Sequence, residues 1–232
     1  MKSLLASFIT LTFLISCQNQ KKTSPTKESL YKLSLAQWSF NKSFKYGDVS
    51  PYEFAKMASE LDFEGLEYVS QLYTDVMESD DKAAAIEAFV EKNNTLAAQY
   101  KMKNVLIMID DEGDLSTTDE ERRLEAIENH KLWIEAAHKM ECSSIRLNLH
   151  GENDVALWTE NSVSSLKALS EFAKPLNVNI IVENHGGNSS NANLLMNVIN
   201  QVNYENCGTL PDFGNFCLSK DWGSLKENKC NN

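Results

Sequence analysis

The chain has 232 residues, of which 42% are hydrophobic and 24% charged. That is ordinary globular composition for one large domain or two small ones, and it excludes a collagen-like, coiled-coil or wholly disordered chain. The net charge is −11; residues 1–32 hold five lysines against the single acid Glu28, so the remaining 200 residues carry 17 basic and 32 acidic side chains, a balance of −15. A body that acidic has no electrostatic footprint for a phosphate backbone, and nucleic acid is not an expected partner.

At the start of the chain, Lys2 precedes an apolar run from Leu4 to Ile15 that ends Leu14-Ile15-Ser16-Cys17. A basic start, about a dozen apolar residues and a small residue before a cut site predict a secretory signal. The run is shorter than the roughly 20 residues a membrane-spanning helix needs. Leu-Ile-Ser-Cys also resembles the lipobox of bacterial lipoproteins. The resemblance implies that residues 1–17 are removed as a signal peptide up to a lipidated Cys17; a plain signal peptide with an incidental cysteine is the alternative. Residues 18–32 are polar and lysine-rich with Pro25, as a flexible tether would be. The expected location is the bacterial cell envelope, lipid-anchored and facing the periplasm or the outside. Of the other cysteines, Cys142, Cys207, Cys217 and Cys230 allow three disulfide pairings there. None has Cys-x-x-Cys spacing, and Cys142 and Cys207 read as buried small hydrophobes.

From Leu33 on, short apolar β-rich runs alternate with stretches of helical period. The predicted strands are 33–40, 65–70, 104–110, 144–150, 179–184 and 208–212. The predicted helices are 51–61, opened by Ser50 as N-cap and Pro51 at the first position, then 82–100, 119–140, 162–173 and 192–202. Runs such as Val105-Leu106-Ile107-Met108-Ile109 are apolar throughout, as strands covered on both faces must be. Strict alternation predicts a parallel α/β sheet, either doubly wound or a barrel. The period of roughly 30–40 residues matches a (β/α)8 TIM barrel, which typically needs about 250 residues. About six βα units are visible over 33–232. The expectation is therefore an incomplete TIM barrel lacking its last two units, with a six-stranded open sheet as the alternative.

In such folds the chemistry gathers at the carboxyl ends of the strands. Those ends read Gln37-Trp38-Ser39-Phe40, Glu67-Tyr68, Asp110-Asp111, Arg146-Leu147-Asn148-Leu149-His150, Glu183-Asn184-His185-Gly186-Gly187 and Asp212-Phe213-Gly214-Asn215. Glu183 emerges directly from Ile180-Ile181-Val182, and a buried carboxylate must be paired or bound to a metal. With Asp212 on the next strand end it makes a natural start for an oxygen-rich divalent-cation site. The alternative for Glu183 is an ion pair with Arg146 on the neighbouring strand, and for Asp212 a turn-forming role. Arg146 and Asn148 alternate along one strand and so point the same way. His185, His150, Trp38 and Tyr68 are candidate sugar contacts, the last two by stacking. His130 and His138 read as outer-ring residues, and the run Asp110-Asp111-Glu112 with Asp114 as a solvated loop. No Walker, Gly-x-Ser-x-Gly or His-Glu-x-x-His pattern occurs.

Val182-Glu183-Asn184-His185-Gly186-Gly187 and Pro211-Asp212-Phe213-Gly214-Asn215 resemble the fifth- and sixth-strand signatures of the sugar phosphate isomerase/epimerase family, a group with the xylose isomerase-like barrel related to endonuclease IV. Leu35-Ala36-Gln37-Trp38-Ser39 resembles the first strand of exported members. The resemblance spans about 33–216. It implies that Glu183 and Asp212 ligate one divalent metal ion (Mn, Mg, Co or Zn), that Glu183 also acts catalytically, and that a histidine from strand seven and a glutamate from strand eight complete the site. Neither of those last two residues is in this sequence.

The implied activity is isomerisation or epimerisation of a sugar by removing a proton next to a carbonyl. A lyase or hydratase acting on an oxidised sugar uses the same first step. A carbohydrate-binding lipoprotein without turnover, or an inactive fragment, is the rival from another class. Export favours an unphosphorylated small-molecule sugar as partner.

Overall fold

The computed structural model describes residues 31–47 and 49–216. The signal segment with Cys17, the tether apart from its last two residues, and Cys217 and Cys230 lie outside the described residues. Six strands, β1 (Ser34–Ala36), β2 (Gly65–Val69), β3 (Lys103–Met108), β4 (Ser144–Leu147), β5 (Asn179–Glu183) and β6 (Cys207–Leu210), alternate with helices α1 (Phe54–Glu60), α2 (Lys82–Gln99), α3 (Glu120–Lys139), α4 (Val155–Ala173) and α5 (Ala192–Val202). All neighbouring strands pair parallel, in the order β1-β2-β3-β4-β5-β6. That order decides between the two predicted architectures. A doubly wound sheet reverses direction at a switch point, whereas barrel staves follow chain order. Consecutive helices also pack side by side, as the outer ring of a TIM barrel does.

The first strand is shorter than predicted. It ends at Ala36, and Gln37–Phe40 form a 3-10 turn instead. The cause is Gln37, whose buried side chain replaces the backbone ladder. Its Oε1 accepts from the Val69 N–H at 2.9 Å, while Nε2 donates to the Pro51 carbonyl at 3.1 Å and to Tyr73 Oη at 3.0 Å. The fourth helix starts seven residues earlier than its apolar pattern suggests, because Asp154 Oδ1 caps it by accepting from the N–H groups of Ala156 and Leu157.

One aromatic cluster fills the space between the first strands and their helices. Phe89 of α2 meets Tyr68, Tyr73 and Trp133 edge-on, with ring centroids 5.9, 4.7 and 5.3 Å away. This corrects the expected substrate-stacking role of Tyr68. Its ring is fully buried between Phe54 and Phe89, and its hydroxyl donates to Asn104 Oδ1 at 2.7 Å. It faces the helices, so it does not reach a ligand at the strand ends. Among the described residues Cys142 and Cys207 form no disulfide, and Cys207 is half-buried where a buried residue was expected. Cys142 is buried as expected, and burial pushes its thiol up to about 12.

The helix-to-strand joints at the opposite end share one turn. After each of the five helices a residue enters the left-handed region, Asn203 after α5 at φ 53° and, at the first four joints, Asp62, Lys101, Glu141 and Asn177 at 61°, 56°, 56° and 55°. The next N–H then reaches back five residues, Phe63 to Ala58, Met102 to Ala97, Cys142 to Ala137 and Val178 to Ala173, at 2.8–3.3 Å. This is the Schellman closure of a helix, which satisfies its last carbonyls. None of the four positions is the glycine that the turn ordinarily takes.

Candidate active site

Strand register places the site. Arg146 lies opposite Met108 on β3 and opposite Ile181 on β5. Asp110 and Glu183 are each two residues further along, so all three side chains belong to the same face of the sheet. They form a row across three strands. Arg146 donates to both oxygens of Asp110, Nη1 to Oδ1 at 2.7 Å and Nη2 to Oδ2 at 3.3 Å. Its Nε stands 2.9 Å from Glu183 Oε2. This second contact is an ion pair whose N–H is not aimed at the carboxylate, and Nε has no hydrogen-bond partner. The side chains of Arg146 and Glu183 are 7% and 9% exposed, so this charge balance is held in a poorly solvated place.

Two amides brace the row. Asn148, two residues beyond Arg146, donates from Nδ2 to Asp110 Oδ1 at 2.9 Å, and its Oδ1 is buried with no partner in the protein. Asn215 donates from Nδ2 to Glu183 Oε1 at 3.1 Å. Asn215 is placed by the segment after β6, which docks onto β5 through Asn184. The Asn184 amide donates to the Asp212 carbonyl at 2.9 Å and accepts from the Asp212 N–H at 2.7 Å. The Asp212 side chain accepts from the Gly214 N–H at 2.7 Å, the turn-forming role that was the alternative for it. Its charge nonetheless acts on Glu183. Burial raises the Glu183 carboxyl above the usual carboxylate range. Arg146 and His185 oppose that rise, and Asp212 and Asp110 add to it.

A cleft of about 480 Å³ opens beside the row, lined by Asp110, Asn148, His150 and His185 together with Gln71, Asp111, Gly113, Asp114 and His130. His150 is fixed by its backbone. Its carbonyl accepts from the Ser116 N–H at 2.9 Å and from Ser116 Oγ, and the preceding Leu149 carbonyl accepts from Trp158 Nε1 at 3.1 Å. Gly151 follows at φ 119°, where a Cβ would stand 2.7 Å from the Thr117 nitrogen, so a side chain cannot be fitted there. His150 and His185 meet edge-on with centroids 6.0 Å apart. Burial lowers the His150 pKa, as does the neighbouring His185, while Asp114 and Asp110 oppose them. His185 is held through its N–H, which donates to Ser189 Oγ at 3.0 Å.

The structure thus brings Arg146, Asn148, His150, Glu183 and His185 to one end of the sheet, and adds Asp110 and Asn215. The expected solvated loop is not solvated at two of its acids. Asp110 pairs with Arg146. Glu112, 3% exposed, holds Lys82 Nζ at 2.7 Å and accepts from Trp133 Nε1 at 2.6 Å. Asp110 carried the same signal that marked Glu183, an acid emerging straight from an apolar strand; for Glu112 the sequence holds no comparable signal. Trp38 is 41% exposed on the turn after β1, with Lys45 Nζ 4.4 Å from its ring centroid, and Lys45 donates to Gln71 at the cleft.

His130 sits on the outer-ring helix α3, as expected, but its side chain points inward. It is 3% exposed, lines the cleft, and its Nδ1 lies 2.7 Å from the Ala126 carbonyl. Burial lowers its pKa from 6.5 to about 4. The unfolded chain therefore takes up this proton first on acidification. The stability contributed by the neutral ring is fully present above 6.5 and is lost as pH falls toward 4, on the order of 3 kcal/mol in all. His150 acts in the same direction and the raised Glu183 in the opposite one. Urea midpoints of the chain are expected to fall steeply over pH 6.5–4, and His130→Asn to flatten that slope. Equal slopes in the two proteins would contradict it.

Among the described residues, no three His, Cys, Asp or Glu side chains come together as a metal-holding group. The pair Glu183 and Asp212 offers part of an oxygen shell, on neighbouring strand ends, for the hard divalent cation its carboxylates suit.

The family described as xylose isomerase-like TIM barrel matches over residues 55–228. No curated protein sequence matches this chain. Solved structures do. One is D-psicose 3-epimerase in the presence of D-fructose, with a TM-score of 0.61 and 16% identity over 83% of this chain and 67% of that one. Another is the probable 3-DHS dehydratase AsbF from Bacillus anthracis, with a TM-score of 0.56 and 19% identity over 79% and 63%. A third is the IOLI protein with a binding zinc atom, with a TM-score of 0.60 and 16% identity over 80% and 64%. The chain spans about two thirds of the length of each. At these identities the likeness is one of fold, and the strand order, the helix ring and the family match agree: the chain belongs to the xylose isomerase-like TIM barrel family.

Proposed function

We propose that this chain transfers a proton at the carbon next to a carbonyl of a sugar or sugar derivative, as a divalent-metal-dependent isomerase or epimerase. One observation carries the reading. A buried carboxyl with raised proton affinity, Glu183, is joined through Arg146 to Asp110, which lines a polar cleft together with Asn148, whose buried Oδ1 is unpartnered. A carboxyl lifted toward working pH is a better base for a weakly acidic C–H. An orphaned buried acceptor calls for a donor, and a sugar hydroxyl is one. The cleft's volume suits a small ligand of that class.

Glu183 takes the proton. Asn215 donates to one of its oxygens, and the Arg146 guanidinium places a positive charge beside the other. His150, kept neutral by burial, can return or accept a proton on the cleft side, and His185 contacts a hydroxyl. Glu183 and Asp212 are the residues that would hold a divalent ion, which when bound stabilises negative charge on the substrate oxygens. Dehydration of an oxidised sugar begins with the same abstraction, and the neighbouring fold of a probable dehydratase supports keeping it as the finer alternative. A carbohydrate-binding role without turnover is favoured by one fact: both Glu183 oxygens are already engaged. The proposal includes the lipid anchor at Cys17 and a place in the bacterial envelope.

The test is to incubate the full chain, with Mn²⁺ present, with ketohexoses and aldohexoses in deuterated water. Deuterium entering carbon next to the carbonyl supports proton transfer. Binding of a sugar with no deuterium uptake supports the binder.

A further inference from the structure

The Asp110–Arg146–Glu183 row has two unlike halves. Toward Asp110 the guanidinium makes two hydrogen bonds, 2.7 and 3.3 Å, and Asn148 braces the same carboxylate at 2.9 Å. Toward Glu183 there is charge proximity at 2.9 Å but no hydrogen bond, because the Nε–H is misaimed. A buried charge without a partner is costly, so Glu183 needs a cation close by. Arg146 supplies one from within the chain. Releasing Glu183 from Arg146 sacrifices no aligned hydrogen bond to the guanidinium, leaving only the Asn215 amide at 3.1 Å to hold it, whereas releasing Asp110 sacrifices two. Asp212, whose charge reaches Glu183, lies on the neighbouring strand end.

We propose that Arg146 is a resident counter-ion that competes with a divalent cation for Glu183, so that Glu183 has two positions, one on the Arg146 guanidinium and one on a cation shared with Asp212. Arg146 stays on Asp110 in both. The inference rests on the metal-dependent reading above and deepens it: the guanidinium sets how weakly the cation binds, and it lets the carboxylate row exist without one. Arg146 is in this sense a positioning residue, acting through Glu183. Two positive groups crowding one buried carboxylate repel, and the affinity for the cation is lowered accordingly.

The experiment titrates Mn²⁺ alone, by calorimetry, into the full chain and into Arg146→Met and Arg146→Lys, and follows thermal melting of each with and without the ion. Arg146→Met is expected to bind Mn²⁺ at least tenfold tighter than the parent. It should melt lower without the ion and recover on adding it. Arg146→Lys, which keeps a positive charge, should stay within about threefold of the parent. Should Arg146→Met fail to fold, Mg²⁺ is titrated into ¹⁵N-arginine-labelled parent chain: the Arg146 Nε–H resonance is expected to move while the Nη resonances bonded to Asp110 hold still. Equal Mn²⁺ affinity in parent and Arg146→Met, or unmoved Nε–H on saturation, overturns the competition and leaves the metal reading standing. No binding of Mn²⁺ by either chain overturns both.

Discussion

Glu183→Gln is expected to cut solvent-proton exchange into a substrate sugar by about 10²–10⁴-fold, the span ordinarily contributed by a positioned acid or base. The amide keeps the size of the side chain and can still accept from Asn215, whose Nδ2 sits 3.1 Å from Oε1. It cannot take up a proton. Arg146 loses only the contact that lacks hydrogen-bond alignment and retains Asp110. The melting temperature should therefore move by only a few degrees, with the loss falling on kcat rather than on sugar binding. Mass-spectrometric measurement of deuterium uptake by the two proteins checks this. Exchange at the parent's rate in the variant would remove Glu183 from the chemistry.

Phe89→Ala should cost about 3–5 kcal/mol of folding stability, the usual range for a fully buried phenylalanine. The ring is fully buried and contacts Tyr68, Tyr73 and Trp133 edge-on. Equilibrium urea unfolding measures the loss; a cost below about 1.5 kcal/mol would mean the cluster collapses around the gap. The effect should also reach the cleft. Trp133 donates to Glu112, and Glu112 pairs with Lys82, so the packing of the aromatic cluster determines where that wall of the cleft stands.

Much of this was legible in the residues themselves. Alternation of apolar runs with helical stretches fixed the sheet type, and an acid issuing straight from Ile180-Ile181-Val182 singled out Glu183. What the residues did not tell is which of two permitted partners a side chain takes. Arg146 beside Glu183 could be foreseen as an alternative, while its bidentate hold on Asp110 could not, because that depends on the β3–β4 register. Gln37 ended a strand that its neighbours' β preference would have continued, since a side-chain amide can imitate a peptide group. Tyr68 was misread because residue type alone does not say which face of a strand it occupies. The early start of α4 hung on Asp154, a cap ahead of the apolar pattern that defines the rest of the helix.

The recurring joint at Asp62, Lys101, Glu141 and Asn177 separates two kinds of evolutionary freedom. Each of these residues accepts an unfavoured backbone conformation to turn the chain around in very few residues, at the end of the molecule remote from the cleft. The segments at the other end, such as 109–119 and 184–191, are longer, the second with a 3-10 turn at Gly187–Ser190, and they hold the groups that would meet a ligand. Drift in those upper segments can retune selectivity while the lower hinges keep every stave in alignment. The scaffold can thus be inherited almost unchanged while its chemistry is rewritten.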